Sequence, residues 1–192
     1  MDPVMLDRRD FVQQLLADRR DLLVVPGLGS ATYDVAAAGD HPLNFYLWGA
    51  MGGTAMIALG LALAQPDRRV VALPGDGDML MGFGSLATIG VKQPKNLVVV
   101  VLDNAHYGET GMQPSHTEAG IDFAALALAC RFRQARSVTR IEETVEVRTL
   151  LHSGEGPILI NAKIKPDDVP RVLPLRDGHA IKERFIAALN AL

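Results

Sequence analysis

Apolar and polar positions alternate between helical and strand periods along most of the chain. Over residues 7–17 the apolar side chains Phe11, Val12, Leu15 and Leu16 recur at helical spacing and form one stripe to bury. Residues 22–25 are a short apolar run that reads as a strand, and Pro26-Gly27-Leu28-Gly29-Ser30 turns into a small-residue helix ending near Gly39. The pattern then predicts a strand over 43–48, a helix over 51–64 and a strand over 69–73. A helix over 79–92 stops ahead of Pro94, and the apolar run 97–102 is the next strand. It feeds a long polar loop over 103–120, too long for a routine strand-to-helix connection. A helix over 122–131 and a strand over 134–138 follow. Thr139 and Glu142 then form a capping-box pattern that starts a helix reaching Leu151. A strand over 157–164 and a helix over 180–192 complete the series. This order implies an α/β fold: a doubly wound, mostly parallel sheet with helices on both faces, with 1–192 as a single domain.

Composition narrows the classes. With 48% apolar and 21% charged residues, the 192-residue chain can bury a substantial core. A formal charge of −3 leaves no nucleic-acid footprint. Residues 1–10 are charged and carry no apolar leader, so a cytoplasmic protein is expected. The longest greasy stretch, 51–64, contains Gly60 and is too short to span a membrane. Cys130 is the one cysteine, which excludes an internal disulfide and CxxC chemistry.

Two strand ends carry the candidate chemistry. Gly75-Asp76-Gly77 follows one apolar run and Asn104 follows the next, so parallel strands deliver both to the same edge of the sheet. A charged and a neutral oxygen donor together suit a hard cation such as Mg²⁺. The glycines let main-chain amides approach a phosphate at the start of a helix. Either half alone reads as an ordinary turn; the pair does not. A calcium loop is rejected because Leu80 and Met81 stand where a ligand and a glycine belong. Gly27-Leu28-Gly29 lacks the third glycine of a dinucleotide fingerprint, Thr32 occupying that place. Its amides and Ser30 can still hold phosphate oxygens. No P-loop lysine, HExxH or GxSxG occurs. The long loop carries Asn104, His106, Tyr107, Glu109, Thr110, Gln113 and His116, and its length marks it as lining a site.

Gly49-Ala50-Met51-Gly52 adds an independent match. Together with Gly75-Asp76-Gly77 and Asn104, it resembles the diphosphate-binding half of thiamine diphosphate enzymes. The likeness runs along essentially the whole chain. Through Asn44-Phe45-Tyr46, Leu102-Asp103-Asn104, Thr110-Gly111-Met112-Gln113-Pro114 and Ile181-Lys182-Glu183-Arg184-Phe185, it is closest to 2-oxoacid decarboxylases of the sulfopyruvate and phosphonopyruvate kind. The resemblance implies thiamine diphosphate and Mg²⁺ as cofactors. It assigns the metal to Asp76, Asn104 and the His106 carbonyl, and the diphosphate to Gly75, Gly77, the Asp78 amide and Ser30. Gly49 accepts a hydrogen bond from the cofactor's amino group, and Met51 holds its two rings in a V. Thr110 and Gln113 contact an anionic 2-oxoacid. The glutamate that activates the cofactor belongs to a separate pyrimidine-binding domain, so a partner alpha subunit and a hetero-oligomer are expected. Asp78 stands where Ser or Ala usually follows the motif, and its carboxylate is expected to turn away and cap the helix dipole. Met112 replaces a common glycine. Other thiamine diphosphate chemistry, carboligation or oxidative transfer to ferredoxin, remains an alternative, as does a non-catalytic α/β binding subunit.

Overall fold

Strands and helices alternate as the hydrophobic pattern requires. In the computed structural model, which describes residues 5–191, the chain runs α1 (Arg8–Leu15), β1 (Leu23–Pro26), α2 (Ser30–Ala37), α3 (Thr54–Ala64), β2 (Val70–Leu73), α4 (Asp76–Met81), α5 (Ser85–Lys92) and β3 (Leu97–Asp103). Two two-residue strands, β4 (His106–Tyr107) and β5 (Gln113–Pro114), lie within the long loop. Then come α6 (Phe123–Ala129), β6 (Gln134–Val138), α7 (Thr144–Ser153), β7 (Ile158–Lys163) and α8 (Gly178–Asn190). The main sheet has five strands in the order β1-β2-β3-β7-β6, all parallel.

Alternation along β3 shows why the sheet is covered twice. Val98, Val100 and Leu102 face a core built with Phe11, Val12 and Leu15 of α1, Val35 of α2 and Val147 and Leu151 of α7. Leu97, Val99 and Val101 face the opposite core, with Ala58 and Leu59 of α3, Leu86 and Ile89 of α5 and Phe123 of α6. Every residue of β3 is buried, as a central parallel strand demands. Aspartates start three of the helices: Asp7, Asp122 and Asp177 each accept two amides of the first turn, worth about 1 kcal/mol apiece. Among the described residues no helix is long and apolar enough to cross a membrane.

The structure corrects the sequence reading in three places. The predicted strand over 43–48 is irregular and forms one isolated bridge to β1, Val24 to Asn44. Side chains satisfy this segment instead: Arg19 binds the Asn44 side chain, and Asn44 Nδ2 donates to the Tyr46 hydroxyl at 2.8 Å. The predicted helix over 79–92 begins earlier and is cut in two around Gly82, because the segment before α3 presses in there. A Cβ on Gly82 would lie 2.2 Å from the Gly52 carbonyl oxygen. The capping box falls one residue later than expected, with Glu143 rather than Glu142 accepting the Thr139 and Arg140 amides at 3.0 and 2.9 Å. Leu192, the predicted end of the last helix, lies outside the described residues.

The sheet's carboxyl edge is where this arrangement matters. One further parallel bridge, Gly75 to Leu102, zips β2 and β3 together just beyond their ends. The connections leaving the neighbouring strands β3 and β7 diverge. That from β3 passes to α6, while that from β7 crosses to α1, where Arg9 donates to the Pro170 carbonyl at 2.6 Å. Diverging connections open a crevice of the kind that binds ligands in such sheets.

Candidate functional site

Loops following β1, β2 and β3 meet the segment before α3 around one cleft. Ser30, Met51, Gly75, Asp76, Gly77, Asp78, Asn104, His106 and Thr110 all stand on its wall. Gly49 and Gln113 do not. Gly49 is exposed, with open space where a Cβ would stand. Gln113 is turned onto its own loop, where Nε2 donates to the Thr110 carbonyl at 2.8 Å and Oε1 accepts the Thr110 hydroxyl at 3.0 Å.

Asp76 is the most constrained of these residues. It is 2% exposed, and its side-chain partners are hydroxyls: Ser115 donates to Oδ2, and Thr117 Oγ1 lies 3.3 Å from the same atom. Burial raises its pKa above the ordinary carboxylate value, and the nearby Asp103 charge adds to the rise. The same Thr117 hydroxyl lies 2.8 Å from Asp103 Oδ1, so it bridges the two carboxylates. Asp103 is in turn neutralised by Lys163 Nζ at 2.5 Å and receives Asn161 Nδ2 at 3.1 Å. Two carboxylates thus share one buried network, and the cation in it serves Asp103, leaving Asp76 with hydroxyls alone.

The other donors gather from the β3 loop. Asn104 Oδ1 accepts the His106 amide at 3.0 Å, while His106 Nδ1 lies 2.8 Å from the Asn104 carbonyl. This tight turn holds Ala105 at a φ of +60°, the kind of local strain that functional loops carry. Next to it the Tyr107 ring rests on Gly77. A Cβ on Gly77 would fall 2.6 Å from Tyr107 Cε1 and 3.4 Å from Met51 Cε. A larger residue would have to displace the Tyr107 ring. A buried carboxylate and an amide oxygen, both hard donors, beside a glycine floor packed closely under that ring, fit Mg²⁺ and a diphosphate.

Asp78 turns away from the cleft, though not to its own helix. Oδ1 accepts the Gly52 amide at 2.6 Å and Oδ2 accepts the Thr54 hydroxyl, so the carboxylate caps the start of α3 instead of α4. Burial raises its pKa, and these bonds oppose the rise. Ser115, Thr117, Asp103, Lys163 and Thr54 were not singled out from the sequence. Hydroxyls two positions apart in a polar loop carry no periodic signal, and their partners come from other loops.

Comparison with known proteins agrees with this geometry. Residues 27–162 match the family described as thiamine pyrophosphate enzyme, C-terminal TPP binding domain. The chain is 37% identical over 185 residues to the sulfopyruvate decarboxylase subunit beta of Methanothermobacter thermautotrophicus, covering 95% of each chain. It is also 37% identical over 169 residues to the phosphonopyruvate decarboxylase of Streptomyces viridochromogenes, covering 85% of this chain but 42% of that one. Its fold matches the thiamine diphosphate-dependent 4-hydroxybenzoylformate decarboxylase of Rhodococcus jostii RHA1 at a TM-score of 0.69 and 22% identity, covering 87% of this chain and 34% of that one. The chain therefore belongs to the thiamine pyrophosphate enzymes and carries their C-terminal TPP binding domain.

Proposed function

We propose that this chain is the cofactor- and metal-binding subunit of a cytoplasmic 2-oxoacid decarboxylase, with 1–192 as one domain and a pyrimidine-binding alpha subunit completing the active site. Asp76 carries the reading. It is a carboxylate buried at a strand end, gripped by hydroxyls, beside a glycine on which the Tyr107 ring rests. Such a charge is tolerated when a proton or a metal neutralises it, and oxygen donors of this kind favour Mg²⁺.

In this reading Asp76, the Asn104 amide oxygen and the His106 carbonyl hold the metal. The Gly75-Asp76-Gly77 turn, the Asp78 amide and Ser30 hold the diphosphate. Met51 supports the cofactor from below, and the exposed Gly49 offers its carbonyl to the amino group. When bound, thiamine diphosphate supplies the electron sink for loss of carbon dioxide from the 2-oxoacid. The chain's own residues orient the cofactor, and the loop bearing Thr110 and Gln113 covers the substrate and excludes water.

Two relatives at equal identity act, by their names, on sulfopyruvate and phosphonopyruvate. The shared chemistry is a 2-oxoacid bearing a second anionic group, decarboxylated without oxidation to an aldehyde. The partner is supported by the name of one relative, a beta subunit, and by the length of the other, of which this chain spans 42%.

The test is reconstitution. The chain should bind thiamine diphosphate with Mg²⁺, yet turn over sulfopyruvate or phosphonopyruvate only after the pyrimidine-binding subunit is added. Absence of cofactor binding would overturn the cofactor reading. Full turnover by rigorously partner-free protein would overturn the divided active site.

A further inference from the structure

Asp78 stands one residue beyond Gly75-Asp76-Gly77, and its side chain touches two other segments at once. The Gly52 amide at 2.6 Å and the Thr54 hydroxyl both belong to the segment that carries Met51 and opens α3. The second segment is the turn after β1. A Cβ on Gly27 would fall 2.5 Å from Asp78 Oδ2, so the carboxylate fills the space this glycine leaves. The segment it holds is not at ease alone. Ala50 and Gly52 sit at φ values of +59° and +86°, and the Gly53 amide closes the turn on the Ala50 carbonyl at 2.8 Å. A left-handed alanine presses its Cβ against the following carbonyl, so the turn needs outside support. That support is a side chain with two acceptor oxygens, aimed at two donors two residues apart.

We infer that Asp78 is a positioning residue. It fixes the segment over residues 49–53, and Met51 with it, against the diphosphate cradle. Recognition of the cofactor's two-ring part then depends on Asp78, and recognition of the diphosphate does not. The inference rests on the proposed function.

Side-chain chemistry separates positioning from charge. Asn at this position can accept the Gly52 amide through its oxygen and donate to the Thr54 oxygen through its nitrogen, so both links survive. Ser has one oxygen and a shorter reach, so it cannot make both. Trp48, the only tryptophan of the chain and adjacent to Gly49, reports on the segment by its fluorescence.

The experiment uses the full chain with Mg²⁺. Thiamine diphosphate and inorganic pyrophosphate are titrated separately against wild type, Asp78→Asn and Asp78→Ser. Asp78→Ser should weaken thiamine diphosphate about tenfold or more and leave pyrophosphate within about twofold, with Asp78→Asn close to wild type for both. Equal weakening of the two probes by Asp78→Ser would overturn the inference, as would an Asn variant as poor as Ser. Tighter binding of both by Asp78→Ser would show instead that the carboxylate opposes the diphosphate. Wild type binding pyrophosphate but not thiamine diphosphate would overturn the inference and leave only an anion site. Wild type binding neither would overturn the proposed function itself.

A stability measurement needs no ligand. Gly27→Ala should lower the melting temperature, and Asp78→Ser in that background should cost less than it does alone, because the smaller side chain vacates the contested space. Strictly additive losses would contradict the contact between Asp78 and the turn at Gly27.

Discussion

The two walls of the cleft are built in opposite ways. On the β2 side, Asp76 and Asp78 sit within one turn, and the Asp78 carboxylate binds the Gly52 amide while filling the space beside Gly27. On the β3 side, the chain from Gly108 to Pro114 is exposed and held by a two-residue ribbon, the Thr110–Gln113 pair and an exposed ion pair from Glu109 to Arg171 at 3.3 Å. The second wall is tied down only at its far end, where Ser115 and Thr117 plunge into the buried carboxylate network. One wall rests on buried contacts; the other is exposed along most of its length. This division suits a site that must hold a cofactor through many turnovers while admitting and releasing a substrate.

The largest effect should come from the rigid wall. Asp76→Ala should weaken Mg²⁺-dependent binding of thiamine diphosphate by about a hundredfold or more, equivalent to about 2.7 kcal/mol. The fold should survive, with the melting temperature unchanged or raised, because the substitution removes a buried charge that has no cation beside it. Calorimetric titration and a thermal melt check both halves. Normal cofactor affinity in this variant would remove the basis for the metal assignment and for the contrast between the walls.

The strand ends on both walls were the legible part. Gly75-Asp76-Gly77 and Asn104 follow apolar runs, and an apolar run that ends in a turn marks where a sheet edge delivers its next residues. Five of the six strands that the same periodicities predict form the parallel sheet, with helices on both faces. What escaped was set by contacts between distant segments. Residues 43–48 are an apolar run that reads as a strand, but the Arg19 and Tyr46 side chains satisfy the segment before it can extend the ladder beside β1. Gly82 breaks a helix because another loop needs its space. Asp78 looked like a cap for its own helix, since nothing local in the sequence places Gly52 and Thr54 beside it. Ser115 and Thr117 are two hydroxyls among polar neighbours until folding brings Asp76 to them.

Those two hydroxyls join the walls, so cutting them sharpens the comparison. Ser115→Ala removes the donor to Asp76 Oδ2 and leaves a buried carboxylate with one fewer partner, and Thr117→Val removes the link between Asp76 and Asp103. A hydrogen bond to a charged group is worth about 1.5–3 kcal/mol. Part of that loss falls on the apo state as well, so about a tenfold drop in cofactor affinity is expected from each variant. Hydrogen exchange should show faster opening of the loop on the β3 side and unchanged protection in α4. Equal loosening of both walls would mean that the network is a shared foundation and not a tether.

The smallest effect should come from the exposed end of the adjustable wall. Gln113 bonds Thr110 through both its amide atoms and lies off the cleft wall, so it reaches a substrate only if the loop moves. Gln113→Ala frees the Thr110 hydroxyl and removes one neutral donor. In the assembled enzyme kcat/KM should fall by a few-fold, less than the roughly 10²–10³ that loss of a transition-state donor costs. Cofactor affinity and melting temperature should not change, because the residue is exposed and makes no contact with the rigid wall. Steady-state kinetics alongside a thiamine diphosphate titration separates the outcomes. Parallel losses in cofactor affinity would place Gln113 in the support of the Asn104–His106 turn, and the adjustable wall would then begin only beyond it.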